Sequence, residues 1–228
     1  MKIYSGMSCD KLKIQKLKNR GMGVMMAPVF KQELNNNRFN VSFLKMDLDG
    51  LYFAVDNGAF AAWNRQKMFN EYAFLKLLDL TIDLPVDFII TPDIVAGGLR
   101  SLEFSMHWAQ TRLVGPAPLA LCVQDEMLPN HITDEMLGHY THIMVGGTPK
   151  WKWEWAATWV DFAHSKIGKF GEPLKCHIGQ CGTPQRLRYA EKIGADSVDS
   201  TNFIREKKGR FHIIDEYRNP TQTELFKN

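Results

Sequence analysis

Residues 87–125 read DFIITPDIVAGGLRSLEFSMHWAQTRLVGPAPLALCVQD. An apolar run, Asp87–Asp93 (DFIITPD), ends on a polar tip. From Ser101 to Leu113 the apolar positions then fall at helical spacing, and a second apolar run, Pro118–Asp125 (PLALCVQD), ends on another polar tip. Runs that are apolar throughout, without alternation, mark strands covered on both faces. A helix between two of them makes the strands parallel neighbours.

Working outward, the same unit recurs. Before it lie Lys2–Ser5 (KIYS), Gly23–Pro28 (GVMMAP) and Leu51–Asp56 (LYFAVD); after it lie His142–Gly147 (HIMVGG), Lys175–Gly179 (KCHIG) and Asp196–Asp199 (DSVD). Helical patterns fill the gaps at Asp10–Arg20, Ala59–Leu80, Thr133–Tyr140, Trp151–Lys166 and Pro184–Ile193. Thr183 serves the last of these as a cap, with Pro184 at the first helical position. Eight strands alternating with helices predict an α/β fold, a single (β/α)8 TIM-type barrel spanning 1–228, with a short C-terminal extension after about residue 204. An open doubly wound sheet is the competitor, but neither GMSCD nor GMGVMMAP supplies its GxGxxG turn after a first strand. The long segment Val29–Gly50, with its NNNR stretch, reads as a solvated excursion that carries a small hairpin near Phe39–Met46.

Composition sets the outer limits. The 228 residues are 45% hydrophobic and 23% charged, which excludes a disordered or collagen-like chain. No apolar run approaches the roughly 18 residues of a membrane span, and the N-terminus lacks the apolar core of a secretory leader. The net charge of +3 permits a nucleic-acid partner without demanding one. Cys9, Cys122, Cys176 and Cys181 are scattered and form no CxxC pair, so free thiols in a reducing cytoplasm and no zinc site are expected.

A barrel of this type carries its chemistry at the carboxyl ends of its strands. The polar tips there are Ser5, Asp56, Asp93, Gln124 with Asp125, Gly146 and Gly147, His177, and Asp199. Each aspartate taken alone reads equally as a helix cap. Three at separate tips of one barrel would repel one another, and a function is needed to retain them. Gly146-Gly147 is either a plain turn or a pair of amides offered to a planar ligand, and His177 is either a buried structural imidazole or a base. In KWKWEW (150–155), Lys150 and Lys152 alternate with tryptophans. They read either as the start of a solvated helix or as phosphate contacts. The basic segments Lys11–Arg20 and Arg205–Arg210, the latter including Lys207 and Lys208, are further phosphate-contact candidates.

The order of these tips carries a resemblance. DNGAF (56–60), PDI (92–94), Gln124, VGG (145–147), HIG (177–179) and GADSVDST (194–201) together resemble the tRNA-guanine transglycosylase superfamily, and within it the DpdA-type enzymes that place 7-deazaguanines in DNA. The likeness runs from about Gly23 to Phe203 and lies in order and spacing, not in any single motif. It implies Asp199 as nucleophile and Asp56 as general acid/base. It also implies that Asp93, Gln124 and the Gly146-Gly147 amides read a purine-like base, with His177 beside them. The partners implied are DNA, single-stranded or with its base flipped out, and a free 7-deazaguanine base; no metal or organic cofactor is called for. No cysteine cluster follows Asp199 and the chain is short, so the likeness is to a minimal, phage-type form acting on DNA and not to the tRNA enzymes. An N-glycoside hydrolase on the same barrel, a tRNA-guanine transglycosylase and a non-catalytic nucleic-acid-binding barrel remain the alternatives.

Overall fold

The computed structural model describes residues 1–8, 10–28 and 48–220. Eight strands close into one all-parallel barrel in sequence order: β1 (Lys2–Gly6), β2 (Gly23–Met26), β3 (Phe53–Val55), β4 (Val86–Ile90), β5 (Leu119–Val123), β6 (His142–Val145), β7 (Lys175–Ile178) and β8 (Ser197–Ser200). Helices α1 (Lys11–Lys18), α2 (Ala59–Asn64), α3 (Glu71–Thr81), α4 (Leu99–Thr111), α5 (Asp134–Leu137), α6 (Pro149–His164) and α7 (Pro184–Lys192) form the outer layer. The predicted (β/α)8 barrel is the observed architecture. The hairpin expected near Phe39–Met46 lies outside the described residues.

Strand periodicity divides the apolar residues into two cores. Tyr4, Met25, Ala54, Phe88, Ile90, Ala120 and Cys122 cluster inside the barrel, while their strand neighbours Ile3, Val24, Val55, Ile89, Leu121, Ile143, Cys176 and Val198 pack against the helices. At the amino end of the barrel, the Asp87 carboxylate accepts the Lys2 ammonium and the Tyr4 hydroxyl, both at 2.6 Å. Burial pushes the Tyr4 hydroxyl far above its ordinary range, with Asp87 adding to the effect, so it stays a donor.

Helix ends follow local chemistry. Thr183 caps α7 by accepting the Arg186 N–H, as its place before Pro184 predicts. The single helix predicted over Ala59–Leu80 is in fact two, because Gln66 takes a positive φ of 53° and Asn70 starts a new helix by accepting the Ala73 N–H at 3.0 Å. Phe69, in the break, packs on Phe74, Phe104 and Trp108.

Beyond residue 204 the extension folds back as α8 (His212–Arg218). Arg20 pairs with Asp215 at 2.7 Å, Lys13 donates to the Ile204 and Glu206 carbonyls at 2.8 Å, and Lys16 donates to the Lys208 carbonyl at 3.0 Å. The basic segment Lys11–Arg20 is therefore largely spent on holding this extension, which corrects its reading as a phosphate-contact surface.

Gly23 marks the closest approach within the barrel wall. A Cβ there would lie 2.2 Å from the Tyr52 ring and 2.6 Å from the Tyr52 carbonyl oxygen, which is itself held by the Val24 N–H at 2.9 Å. Gly23→Ala is expected to destabilise the protein by about 2–3 kcal/mol, measured by chemical denaturation, because backbone and ring must both move.

Candidate active site

The strand tips surround a cavity of about 530 Å³ at the carboxyl end of the barrel. Asp56, Asp93, Gln124, Gly146, Gly147 and Asp199 all line it, as the sequence predicts. His177 does not. Of the basic candidates, Lys152 and Arg205 are on its wall, whereas Lys150, Lys207 and Lys208 are exposed elsewhere.

Asp93 is the most tightly built of the carboxyls and is 6% exposed. Asn57 Nδ2 donates to its Oδ1 and Gln124 Nε2 donates to its Oδ2, both at 2.5 Å. The orientation of each amide is set from behind. Asn57 Oδ1 accepts the Ala59 N–H at 2.8 Å, and Gln124 Oε1 accepts the Ala96 N–H at 3.2 Å, so both NH2 groups must face Asp93. Gln124 therefore positions Asp93. Its Nε2 is spent on Asp93 and its Oε1 accepts the Ala96 N–H, and it lines the cavity beside the carboxylate it holds. Asn57 was missed as a site residue because, following Asp56 and preceding Gly58, it reads as turn chemistry alone.

Asp199 stands on β8 opposite Tyr4 of β1 and projects inward, while Val198 faces the helices. Its Oδ1 accepts two hydrogen bonds, from His177 Nε2 at 3.2 Å and from the Gln180 N–H at 3.3 Å. Its second oxygen has no donor among the described residues. His177 is fully buried beneath it, with Nδ1 2.8 Å from the Ser197 hydroxyl. A carboxylate on one side and a hydroxyl on the other assign the proton to Nε2. His177 is thus a positioning residue under Asp199, which corrects its placement among the substrate-binding residues.

Two further expectations change. The Gly146 N–H donates to the Val123 carbonyl at 3.0 Å within the strand ladder, so the two glycine amides are not jointly available to a ligand. What the glycines provide is room: a Cβ on Gly146 would meet Cys122 Sγ at 2.6 Å, and one on Gly147 would meet Asp125 Oδ2 at 2.7 Å. Asp125 is used structurally, accepting the Thr148 N–H at 2.8 Å and the Thr148 hydroxyl at 2.5 Å and so tying the start of α6 to β5. Lys152 is not a surface cation at all. It is 1% exposed, and its ammonium donates to the Gly179 carbonyl at 3.0 Å. Its helical register turns it inward to the end of β7, where the KWKWEW pattern suggested solvent.

The three carboxyls differ in environment. Burial raises Asp56 to about 6; the charge of Asp199 adds to this, and the Gly58 N–H at 3.1 Å opposes it. Burial also raises Asp93, to about 7, against the pull of the Asn57 and Gln124 donors. Among the described residues no cluster of three His, Cys, Asp or Glu could hold a metal ion. The described cysteines, Cys122, Cys176 and Cys181, are buried free thiols. No described helix is long and apolar enough to cross a membrane. Neither a family model nor a curated protein matches the chain, so its site is characterised by geometry.

The raised carboxyls make stability depend on pH with a definite sign. The folded protein keeps protons that the unfolded chain releases near 3.8, so this stabilisation is complete below that pH and is lost as pH rises through about 6 and about 7. Asp56→Asn, which retains the oxygen that accepts from Gly58, is expected to flatten the decline between pH 4 and 8. At pH 8 it should exceed the wild type by about 1–2 kcal/mol in urea titrations.

Proposed function

We propose that the protein is a DNA guanine transglycosylase, a pentosyltransferase that exchanges guanine in DNA for a 7-substituted 7-deazaguanine. The observation that carries this reading is one cavity walled by two carboxyls in unlike environments, Asp56 and Asp199, with a third, Asp93, clamped as an acceptor by two oriented amides. Two carboxyls in unlike surroundings, one of them raised by burial, suit displacement at a sugar C1′ through an oxocarbenium-like state. The Asp93 clamp suits a base edge that presents N–H donors.

The steps follow from these positions. Asp199, steadied at Oδ1 by His177 and Gln180, attacks C1′ with its other oxygen as the C1′–N9 bond breaks. Asp56, raised to about 6, gives its proton to the departing guanine. The incoming base then yields its N9 proton to the Asp56 carboxylate and attacks C1′, releasing Asp199. Asp93 accepts from N1–H and the exocyclic amine, a donor pair that guanine and its 7-deaza analogues present and adenine does not. Each Asp93 oxygen is held by one amide and keeps a lone pair for the ligand. Arg65, Arg186 and Arg205 on the cavity wall, with exposed Lys150, Lys207 and Lys208 beyond it, supply positive charge for phosphates flanking a single-stranded or flipped nucleotide.

The test incubates the protein with a single-stranded oligonucleotide and a free 7-deazaguanine, followed by nucleoside mass spectrometry and intact-mass detection of a protein–DNA adduct. Base exchange predicts incorporation without abasic sites, and Asp199→Asn should lose both incorporation and adduct by a factor of about 10³ or more. Abasic sites without incorporation would make the enzyme a hydrolase. DNA binding that survives Asp199→Asn, with no chemistry in the wild type, would leave a binding barrel.

Asp93→Asn replaces one acceptor with a donor that opposes both the amide clamp and the base. The preference for guanine over adenine in a competition assay should fall by about 1–3 kcal/mol, roughly five- to a hundred-and-fiftyfold. Unchanged preference would return Asp93 to a structural role.

A further inference from the structure

The turn that follows β7 meets Asp199 with two successive N–H groups. Gln180 donates to the carboxylate Oδ1 at 3.3 Å, and Cys181 donates to the Asp199 main-chain carbonyl at 2.8 Å. On the far side of the same two peptides stand two cations. The Gly179 carbonyl accepts the Lys152 ammonium at 3.0 Å, and the Gln180 carbonyl accepts an Arg186 N–H at 3.4 Å. A trans peptide is planar and conjugated, with its N–H and C=O pointing in opposite directions. Each cation therefore polarises the peptide whose N–H serves Asp199.

Of the two cations Lys152 is the buried one. It is 1% exposed, and its ammonium forms no ion pair and no second hydrogen bond among the described residues. Arg186 is half-buried, with its guanidinium 5.3 Å over the Trp153 ring. An ammonium taken out of water without a counter-ion in contact is costly. Burial pushes its pKa down, and the charge of Asp199 is the largest influence holding it up. The turn between them is under constraint as well. Gln180 takes a left-handed φ of 64°, a conformation that persists when its surroundings hold it on both sides. A Cβ on Gly179 would stand 3.5 Å from Asp199 Oδ1 and 3.0 Å from Met144 Cε, so the turn lies directly against the carboxylate.

We propose that Lys152 is a positioning residue that acts on Asp199 through the Gly179–Gln180 peptide, fixing Oδ1 and stabilising the carboxylate when it is released. The assignment rests on the base-exchange reading for the identity of the step it serves. In that reading the second Asp199 oxygen carries the sugar C1′. In the return step the incoming base forms its N9–C1′ bond as the C1′–O bond breaks. The electron pair of that bond goes back to Asp199, and the N9 proton goes to Asp56. Negative charge reappears on the carboxylate at that moment, and a peptide already polarised by a buried ammonium receives it without rearrangement. The same stabilisation does nothing to speed the attack of Asp199. Loss of the ammonium therefore slows release more than attack.

The test uses the full-length protein, a single-stranded oligonucleotide and a free 7-deazaguanine. Quenched-flow mass spectrometry follows the protein–DNA adduct and base incorporation separately, and NMR follows the Gln180 amide proton. Lys152→Met should slow incorporation by about tenfold or more while the adduct accumulates, with oligonucleotide affinity within about twofold of the wild type. The Gln180 amide proton should move upfield in the same protein. Lys152→Arg, which keeps the charge, should restore both release and the resonance. Adduct and incorporation falling together overturn the proposal, as does a loss confined to oligonucleotide affinity. If Lys152→Met fails to fold, Lys152→Gln decides, because it keeps a donor for the Gly179 carbonyl without the charge; release at the wild-type rate there overturns the proposal. A Gln180 resonance that shifts in a protein exchanging no base keeps Lys152 assigned to Asp199 and removes base exchange. Base exchange with unchanged release and an unmoved resonance does the reverse.

Discussion

The pairing of β1 with β8, which sets Tyr4 opposite Asp199, is the constraint from which the rest of the site follows. Once an all-parallel sheet closes, its eight carboxyl ends share one rim, and the two-residue strand period decides which side chains enter the barrel. On β8 that period sends Ser197 and Asp199 inward and Val198 outward, and on β7 it sends His177 inward between Cys176 and Ile178. A slip of one residue at the closure would bury Val198 in the cavity floor and turn Asp199 into the helix layer. The hydrophobic pattern forbids it, because Val198, Cys176 and Ile178 are all buried in that layer.

The closure also explains how Asp199 is held. His177 is part of a stack inside the barrel, with Phe88 5.1 Å away and His142 4.5 Å beyond Phe88. Burial drives His142 down to about 3, with His177 contributing, so it is neutral and adds no charge beneath the site. The imidazole under Asp199 is thus fixed by rings on one side and by Ser197 on the other, and its one outward donor goes to the carboxylate. Orientation of the nucleophile in the proposed reaction is a consequence of core packing and needs no loop to adjust.

Much of this was legible in the sequence because it depends on period and order. The eight apolar runs, their polar tips and the cap at Thr183 are local signals, and they give the barrel and six of the cavity's residues. Side-chain commitments are not local. Gln124 at a strand tip looks the same whether its amide is free or, as here, spent on Asp93 and Ala96, and only the fold brings those groups together. Lys152 shows the same limit: in KWKWEW the alternation of lysine and tryptophan suggests a wet face, but the 3.6-residue period of α6 turns one lysine inward and leaves Lys150 outside. The break between α2 and α3 was missed because the aromatic residues keep a helical spacing through it, while the chain direction is changed by Gln66 and Asn70.

The chemistry of the floor is narrower than its list of carboxyls suggests. Asp93 is raised to about 7 by burial, yet both of its oxygens already accept amide donors whose direction is fixed by backbone N–H groups behind them. Rotating either amide to offer an oxygen would strand the Ala59 or Ala96 N–H, so the clamp holds the two Asp93 oxygens as acceptors of both amides. A ligand edge with donors completes it; an edge with an acceptor in the same place leaves buried groups facing one another unpaired, a penalty that discriminates far more strongly than a missing methyl group does. In the proposed reaction, selectivity would therefore be set through the orientation that Asn57 and Gln124 impose on Asp93.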